Sequence, residues 1–138
     1  MTDNTPLSLM MLIDDDTVDH ILYRRLLKRA PISATSYFFD DARAALTFLA
    51  TPDCPRIELI FLDINMPSMT GFEFLEAAQR EIPDVLADTV VVMLTTSTRR
   101  DDEVRARSFT VVKDYFSKPL TLAHLVAAAA LVNRSTHR

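Results

Sequence analysis

The stretch Ile57-Glu58-Leu59-Ile60-Phe61-Leu62-Asp63-Ile64-Asn65-Met66-Pro67-Ser68-Met69-Thr70-Gly71 carries the first decision about the fold. Residues 57–62 form a short apolar run of the kind that suits a strand buried on both faces of a sheet. The run stops at a lone carboxylate, Asp63. A loop with Pro67 follows. From Gly71 onward Phe74, Leu75, Ala78 and Ile82 recur at helical spacing, until Pro83 breaks the segment. Strand, polar residue, loop and helix make one unit.

The unit recurs on both sides. Upstream, Leu9–Ile13 is apolar and stops at Asp14-Asp15-Asp16. Thr17–Arg29 then reads as a helix with Val18, Ile21, Leu22 and Leu26 inward, Asp16 as its N-cap and Pro31 at its exit. A second strand is expected over 33–39. The helix after it is capped by Asp40 or Asp41, with Ala42, Ala45, Leu46 and Leu49 on one face. Downstream, 89–94 is rich in β-branched residues and ends at Thr95-Thr96-Ser97. The helix expected over 99–108 is charged almost all round, with Val104 and Ala106 its apolar members, so it should pack weakly and be able to move. A fifth strand spans 111–116. An Ala-rich helix spans 121–132, capped by Thr121, and a polar tail occupies 133–138. Five apolar strands alternating with five helices imply an α/β fold with a five-stranded parallel sheet covered on both faces.

Composition narrows the function. The 138 residues suit one domain, 1–138, with its core at about 7–132. The net charge of −4 argues against a nucleic-acid surface. A single cysteine, Cys54, allows no internal disulfide and fits a reducing compartment. The apolar run 7–13 is too short to span a bilayer, and no basic residue precedes it as in a signal peptide, so a cytoplasmic location is expected. With one glycine, Gly71, no Gly-rich phosphate loop can be built.

Asp14 to Asp16, Asp63, Thr95 and Lys118 each lie just past the carboxyl end of an apolar strand. In an open α/β sheet those ends converge on a crevice where ligands bind. Carboxylates gathered there repel one another unless a hard divalent cation with oxygen ligands, Mg²⁺ foremost, joins them. Lys118 adds a point charge for an anion and Thr95 a hydroxyl donor. Together these describe a phosphoryl site, with Asp63 as a carboxylate nucleophile. Taken singly, each piece has a plainer reading: the Asp triplet as a helix cap, Asp63 as a turn residue, Thr95 as a strand end, Lys118 as a solvated turn lysine. Their coincidence at one sheet edge favours the site. His20, His124 and His137 lack metal-ligand spacing and read as surface residues, and 99–103 as a solvated face with local ion pairs.

The ordered set resembles the receiver domain of bacterial response regulators, the chemotaxis-regulator type, over about residues 9–132. The run Asp63 to Gly71 is its most specific part, joined by Asp14-Asp15, Thr95-Thr96-Ser97 and Tyr115-Phe116-Ser117-Lys118-Pro119. The resemblance implies the flavodoxin-like, doubly wound strand order 2-1-3-4-5. It implies Asp63 as phosphoacceptor and Mg²⁺ (or Mn²⁺) held by Asp15 directly, by Asp14 mainly through water, by Asp63 and by the backbone carbonyl of Asn65. Lys118 would pair with a phosphoryl oxygen, with a cis peptide to Pro119. Thr95 would donate its hydroxyl, and the N–H groups of Asn65 and Thr96 would complete the cradle. Tyr115 would turn inward as Thr95 moves. Val111-Val112 replace the family's usual Gly-Ala pair, which puts the register of the fifth strand in doubt.

Such a protein is a phosphoacceptor in a two-component phosphorelay rather than an enzyme with a separate substrate, though it assists its own phosphorylation and dephosphorylation. Its expected partners are a sensor histidine kinase and a histidine phosphotransfer or target protein, with no nucleic acid and no membrane. With six residues after the last expected helix, the signal should leave by protein contact, through the face built from the fourth helix, fifth strand and fifth helix. The stretch 127–130 permits close helix approach, so a homodimer is a further expectation beside packing on the sheet. The alternative is a phosphate-independent interaction module of the same fold. A phosphatase would want an acid where Asn65 stands, and a flavin-phosphate loop would not be Asp14-Asp15-Asp16.

Overall fold

Strand and helix boundaries follow from where apolar runs stop and side chains can cap. The structure, a computed structural model, describes residues 7–30 and 32–136. Five strands, β1 (Leu9–Ile13), β2 (Thr35–Phe39), β3 (Leu59–Leu62), β4 (Val90–Thr95) and β5 (Val112–Ser117), form one sheet in the order β2-β1-β3-β4-β5. All four pairings are parallel. β3 and β4 are buried along their whole length, β1 nearly so, and the two edge strands less.

Alternation along the strands feeds two cores. Met11, Ile13, Ile60, Leu62, Val91 and Met93 face one side, under α2 (Ala42–Leu49), α3 (Gly71–Glu81), α4 (Pro83–Ala87) and α5 (Arg100–Arg107). Met10, Leu12, Phe61, Val92 and Leu94 face the other, under α1 (Thr17–Arg29) and α6 (Leu122–Thr136). Among the described residues no helix is long and apolar enough to cross a membrane.

Side chains set most helix starts. Asp16 accepts from the amides of Val18 and Asp19, and Asp41 from that of Ala44. Thr70 and Glu73 form a reciprocal capping box at α3. Thr121 Oγ1 accepts from the His124 amide, while His124 Nδ1 accepts from the Thr121 amide.

Four differences from the sequence reading have physical causes. First, Pro83 ends α3 but also opens α4, because proline is pre-organised for the first turn of a helix, so the helices number six among the described residues. Second, α6 runs to Thr136, past the end expected at 132; His137 and Arg138, like Pro31, lie outside the described residues. Third, the Val18, Ile21 and Leu22 stripe of α1 faces solvent, at 60%, 52% and 46% exposure. His20, Tyr23 and Leu26 are buried instead, so His20 is a core residue and not a surface one. Fourth, β5 carries a bulge where the Gly-Ala pair is missing. Val91 pairs with Val112, but Val92 pairs with Asp114, leaving Lys113 unmatched. The expected use of the Ala-rich stretch on the sheet holds for Ala128, which is fully buried.

Gly71 stands where α3 approaches the carboxyl end of β3. A Cβ there would lie 2.3 Å from the Asp63 carbonyl oxygen and 3.1 Å from Ile64 Cα. Backbone cannot yield as a side-chain tip does. Gly71→Ala is therefore expected to cost about 1–3 kcal/mol in urea unfolding, the usual range for overpacking; an unchanged midpoint would show that the helix can slide without penalty.

Candidate functional site

Asp14, Asp63 and Thr95 end or follow the three central strands, and Lys118 follows β5. The register places them together. The Lys118 amide donates to the Thr95 carbonyl at 2.8 Å, which ties the lysine to the end of β4. The Lys118–Pro119 peptide is cis, as the resemblance implies.

Lys118 is the centre of the cluster. Its side chain is 10% exposed, and Nζ lies 2.7 Å from Asp14 Oδ2, 2.7 Å from Asp19 Oδ2 and 3.4 Å from Asp63 Oδ2. Its three N–H donors thus meet three carboxylates. Burial opposes its charge, but the hydrogen bonds to Asp14 and Asp19 and the charge of Asp63 outweigh that and raise its pKa.

The carboxylates differ. Burial pushes Asp14 up, but Lys118, the Tyr23 hydroxyl and the Asp16 amide together hold it below its ordinary value. The Asp16 amide donates to Asp14 Oδ1 at 2.9 Å and the Tyr23 hydroxyl to Oδ2 at 2.6 Å. Burial pushes Asp63 up to about 6, against the pull of Lys118 and with the repulsion of Asp14. Burial, with Asp14 nearby, also raises Asp19 despite its bond to Lys118. Asp15 is exposed, yet one oxygen each of Asp14, Asp15 and Asp63 lie within 4.8 Å of one another. Above them opens a cleft of about 550 Å³ lined by Asp15, Asp19, Asp63, Asn65, Thr96 and Lys118.

Thr95 is fully buried, and its Oγ1 accepts from the Ser97 amide at 3.1 Å. The Ser97 hydroxyl donates to Asp102 of α5 at 2.6 Å, so a hydrogen-bonded path runs from the end of β4 into that helix. Tyr115 lies away from the cleft, packed on the α2–α3–α5 side, and its buried hydroxyl has no hydrogen-bond partner among the described residues.

Three contributors were missed in the sequence: Asp19, His20 and Tyr23. All lie on the α1 stripe that faces the strand ends. His20 Nε2 meets the Asp14 carbonyl oxygen, and its ring packs edge-on against Tyr23 and Phe38. The signal was there in a polar stripe at positions 19, 20 and 23, but an apolar stripe one residue out of phase outranked it. The polar stripe wins because buried Asp14 and Lys118 require partners that leucine and valine cannot provide. Tyr23→Phe is expected to lower the unfolding free energy by about 1–2 kcal/mol, the cost of a lost bond to a charged group. Denaturant unfolding without metal reads this, and no change would mean that the Asp16 amide and Lys118 alone satisfy Asp14.

Residues 10–130 match the family profile described as the response regulator receiver domain. The chain is 34% identical over 106 residues to response regulator Rcp1 of Synechocystis sp., covering 74% of this chain and 71% of that protein. A two-component response regulator from Cytophaga hutchinsonii superposes with a TM-score of 0.83 at 25% identity, over 94% of this chain and 98% of the other. The Mn²⁺-bound form of Rcp1 superposes with a TM-score of 0.68 at 30% identity, over 92% and 90%.

Proposed function

The chain belongs to the response regulator receiver domain family, and from that premise we propose that residues 1–138 act as one receiver unit, core 7–132, that takes a phosphoryl group onto Asp63 from a sensor histidine kinase. The observation that carries the reading is the buried Lys118 ammonium set between Asp14 and Asp63 at the sheet edge. An enclosed ammonium beside the carboxylate that would attack phosphorus supplies the positive charge that an incoming phosphoryl group requires.

The donor set suits a hard cation. Oxygens of Asp14, Asp15 and Asp63 lie close enough to share one ion, with the Asn65 backbone carbonyl as a further ligand. Mg²⁺ or Mn²⁺ held there supplies charge neutralisation for the phosphoryl oxygens. The chain's own residues do the rest. An Asp63 carboxylate oxygen attacks phosphorus, an O–P bond forms, and the P–N bond of the donor phosphohistidine breaks as the imidazole leaves with its electron pair and takes up a proton. Lys118 pairs with a phosphoryl oxygen. The Thr95 hydroxyl and the N–H groups of Asn65 and Thr96 hold the others.

Thr95 Oγ1 accepts from the Ser97 amide, so a Thr95 hydroxyl drawn toward a phosphoryl oxygen would carry its tie to Ser97 with it. The Thr95–Ser97–Asp102 path supports a shift of α5, and with it of the α5–β5–α6 face around Tyr115. That face would bind a target, or the group would pass on to a histidine phosphotransfer protein, in the cytoplasm.

The test is direct. Purified protein with Mg²⁺ and acetyl phosphate should gain the mass of one phosphoryl group, reversed at alkaline pH as an acyl phosphate is. No gain under conditions where Mg²⁺ binding is demonstrated would favour the phosphate-independent interaction module.

A further inference from the structure

We infer that α5 turns as a lever when the site fills: Arg105, seated on Phe72 and Glu76 of α3, holds its carboxyl end, while Ser97, bonded to Thr95 and to Asp102, pulls its amino end. The inference rests on the receiver reading above and adds which end of the helix moves and what holds the other.

A helix charged almost all round has little apolar packing to fix it, and within α5 only Ala106 is buried. Side-chain contacts therefore decide how it is held, and they differ between its ends. At the carboxyl end the Arg105 guanidinium lies 4.4 Å from the centre of the Phe72 ring, and its Nη2 lies 3.3 Å from Glu76 Oε2. That ion pair is half exposed and weak by itself. Phe72 is buried, however, so the guanidinium rests on a ring that is itself fixed. Phe109, just past the helix, stacks with the same ring, its centroid 6.2 Å away and its plane 7° from parallel. Arg107 adds a contact to Asp114 of β5 at 4.0 Å. Phe72 in turn follows Gly71, whose amide donates to the Ile64 carbonyl at 2.8 Å. The carboxyl end of α5 is thus tied through α3 to the end of β3, where Asp63 sits.

The amino end has no such seat. No side chain caps it. Asp101 pairs with Arg99 at 3.8 Å in open solvent, a contact worth little. Val104 faces solvent. Ser97 provides the tie to the sheet. Its hydroxyl donates to Asp102 Oδ2 at 2.6 Å and accepts from the Arg99 amide at 3.2 Å, while its own amide donates to Thr95 Oγ1 at 3.1 Å. A Thr95 hydroxyl drawn toward a phosphoryl oxygen therefore pulls on one end of α5 while the other stays seated. A helix pulled at one end and held at the other tilts; a helix held evenly slides. The arm from Arg100 to Arg105 is about 7.5 Å long at the helical rise. A displacement of about 1–2 Å at its free end then tilts the axis by on the order of 10°.

The test measures residual dipolar couplings of backbone N–H groups by NMR in the full chain with Mg²⁺, before and after adding beryllium fluoride as the phosphoryl mimic. The couplings report the direction of α5 against the sheet. Wild type should tilt by on the order of 10°, with the Ser108 and Phe109 amides nearly unshifted. Ser97→Ala should tilt by less than half as much, although the Asp63 and Thr95 amides still respond to the mimic. Asp102→Asn keeps an oxygen to accept the Ser97 hydroxyl and should tilt as wild type does. Arg105→Ala should let the whole helix follow the pull, so that the tilt falls below half and the Ser108 and Phe109 amides shift. The lever alone would be overturned by a wild-type helix that stays still or moves without changing direction. It would equally be overturned by a tilt that survives Ser97→Ala, that is lost in Asp102→Asn, or that survives Arg105→Ala with the carboxyl end still in place. Wild-type Asp63 and Thr95 amides that do not respond to the mimic would overturn the receiver reading, and this inference with it.

Discussion

Asp63→Asn is expected to abolish phosphoryl uptake and, in the absence of metal, to make the protein harder to unfold. The first half follows from the nucleophile: an amide has no anionic oxygen to attack phosphorus. The second follows from burial. Asp63 titrates at about 6 in the folded chain, above the ordinary carboxylate value of 3.8. A folded-state pKa raised in this way means that the native protein binds the proton more tightly than the unfolded chain does. The cost of holding the charged form is therefore fully present above pH 6 and vanishes as pH falls through 4. A shift of this size corresponds to up to about 3 kcal/mol. Asparagine escapes that cost and can still accept the Ile64 amide that Asp63 Oδ1 accepts at 2.8 Å. Lys118 keeps Asp14 and Asp19. Urea unfolding in chelator at pH 7.5 should favour the variant, and the advantage should be gone by pH 4. A variant that gained a phosphoryl group at wild-type stoichiometry would remove Asp63 from the chemistry; an advantage equal at both pH values would remove the charge argument.

Lys118→Ala should act in the opposite direction and further. It takes away the one cation among three carboxylates and leaves Asp14, nearly inaccessible to water, without its counter-charge. Breaking a buried pair from one side costs about 3–5 kcal/mol. In wild type, Lys118, Tyr23 and the Asp16 amide hold Asp14 below its ordinary pKa against burial, so its pairing stabilises the fold above pH 4 and is lost as pH falls below that. The variant's deficit should accordingly be largest at neutral pH and shrink toward pH 4, as Asp14 protonates. Mg²⁺ should restore more stability to the variant than to wild type, since the ion meets no competing ammonium and binding to the native state alone adds stability. Thermal unfolding with and without Mg²⁺ reads both effects. A melting temperature within error of wild type in chelator would mean that Asp14 is not charged in the folded protein.

The parts of this site that lie at strand ends were legible because an apolar run has to stop somewhere, and the residue that stops it is visible. Asp14, Asp63, Thr95 and Lys118 are all of that kind, and strand order then brings them together. The helical contribution was not legible in the same way. Along α1 two stripes compete, and hydrophobicity alone selects Val18, Ile21 and Leu22, which face solvent. Only the need to satisfy Asp14 and Lys118 turns Asp19, His20 and Tyr23 inward, and that need arises from residues far along the chain, such as Lys118 against Asp19. The short helix Pro83–Ala87 was hidden because proline both stops and starts helices. The missing Gly-Ala pair before β5 did signal an irregular register, though not its form.

The unmatched Lys113 has an arithmetical consequence. Val112 and Tyr115 are three residues apart, which on an unbroken strand would send them to opposite faces, yet both pack on the α2–α3–α5 side, while Phe116 packs on the other. The bulge absorbs the odd residue. Were β5 straightened with its present length, Tyr115 and Phe116 would exchange faces, and Lys118 would slide about 3.3 Å beyond the sheet edge, out of line with Asp14 and Asp63. Were Lys113 deleted, a straight strand would meet β4 in the register that Asp114 to Ser117 already keep. The fifth strand therefore has two lengths that stay in phase with the site: the present one with its bulge, and one residue shorter without it.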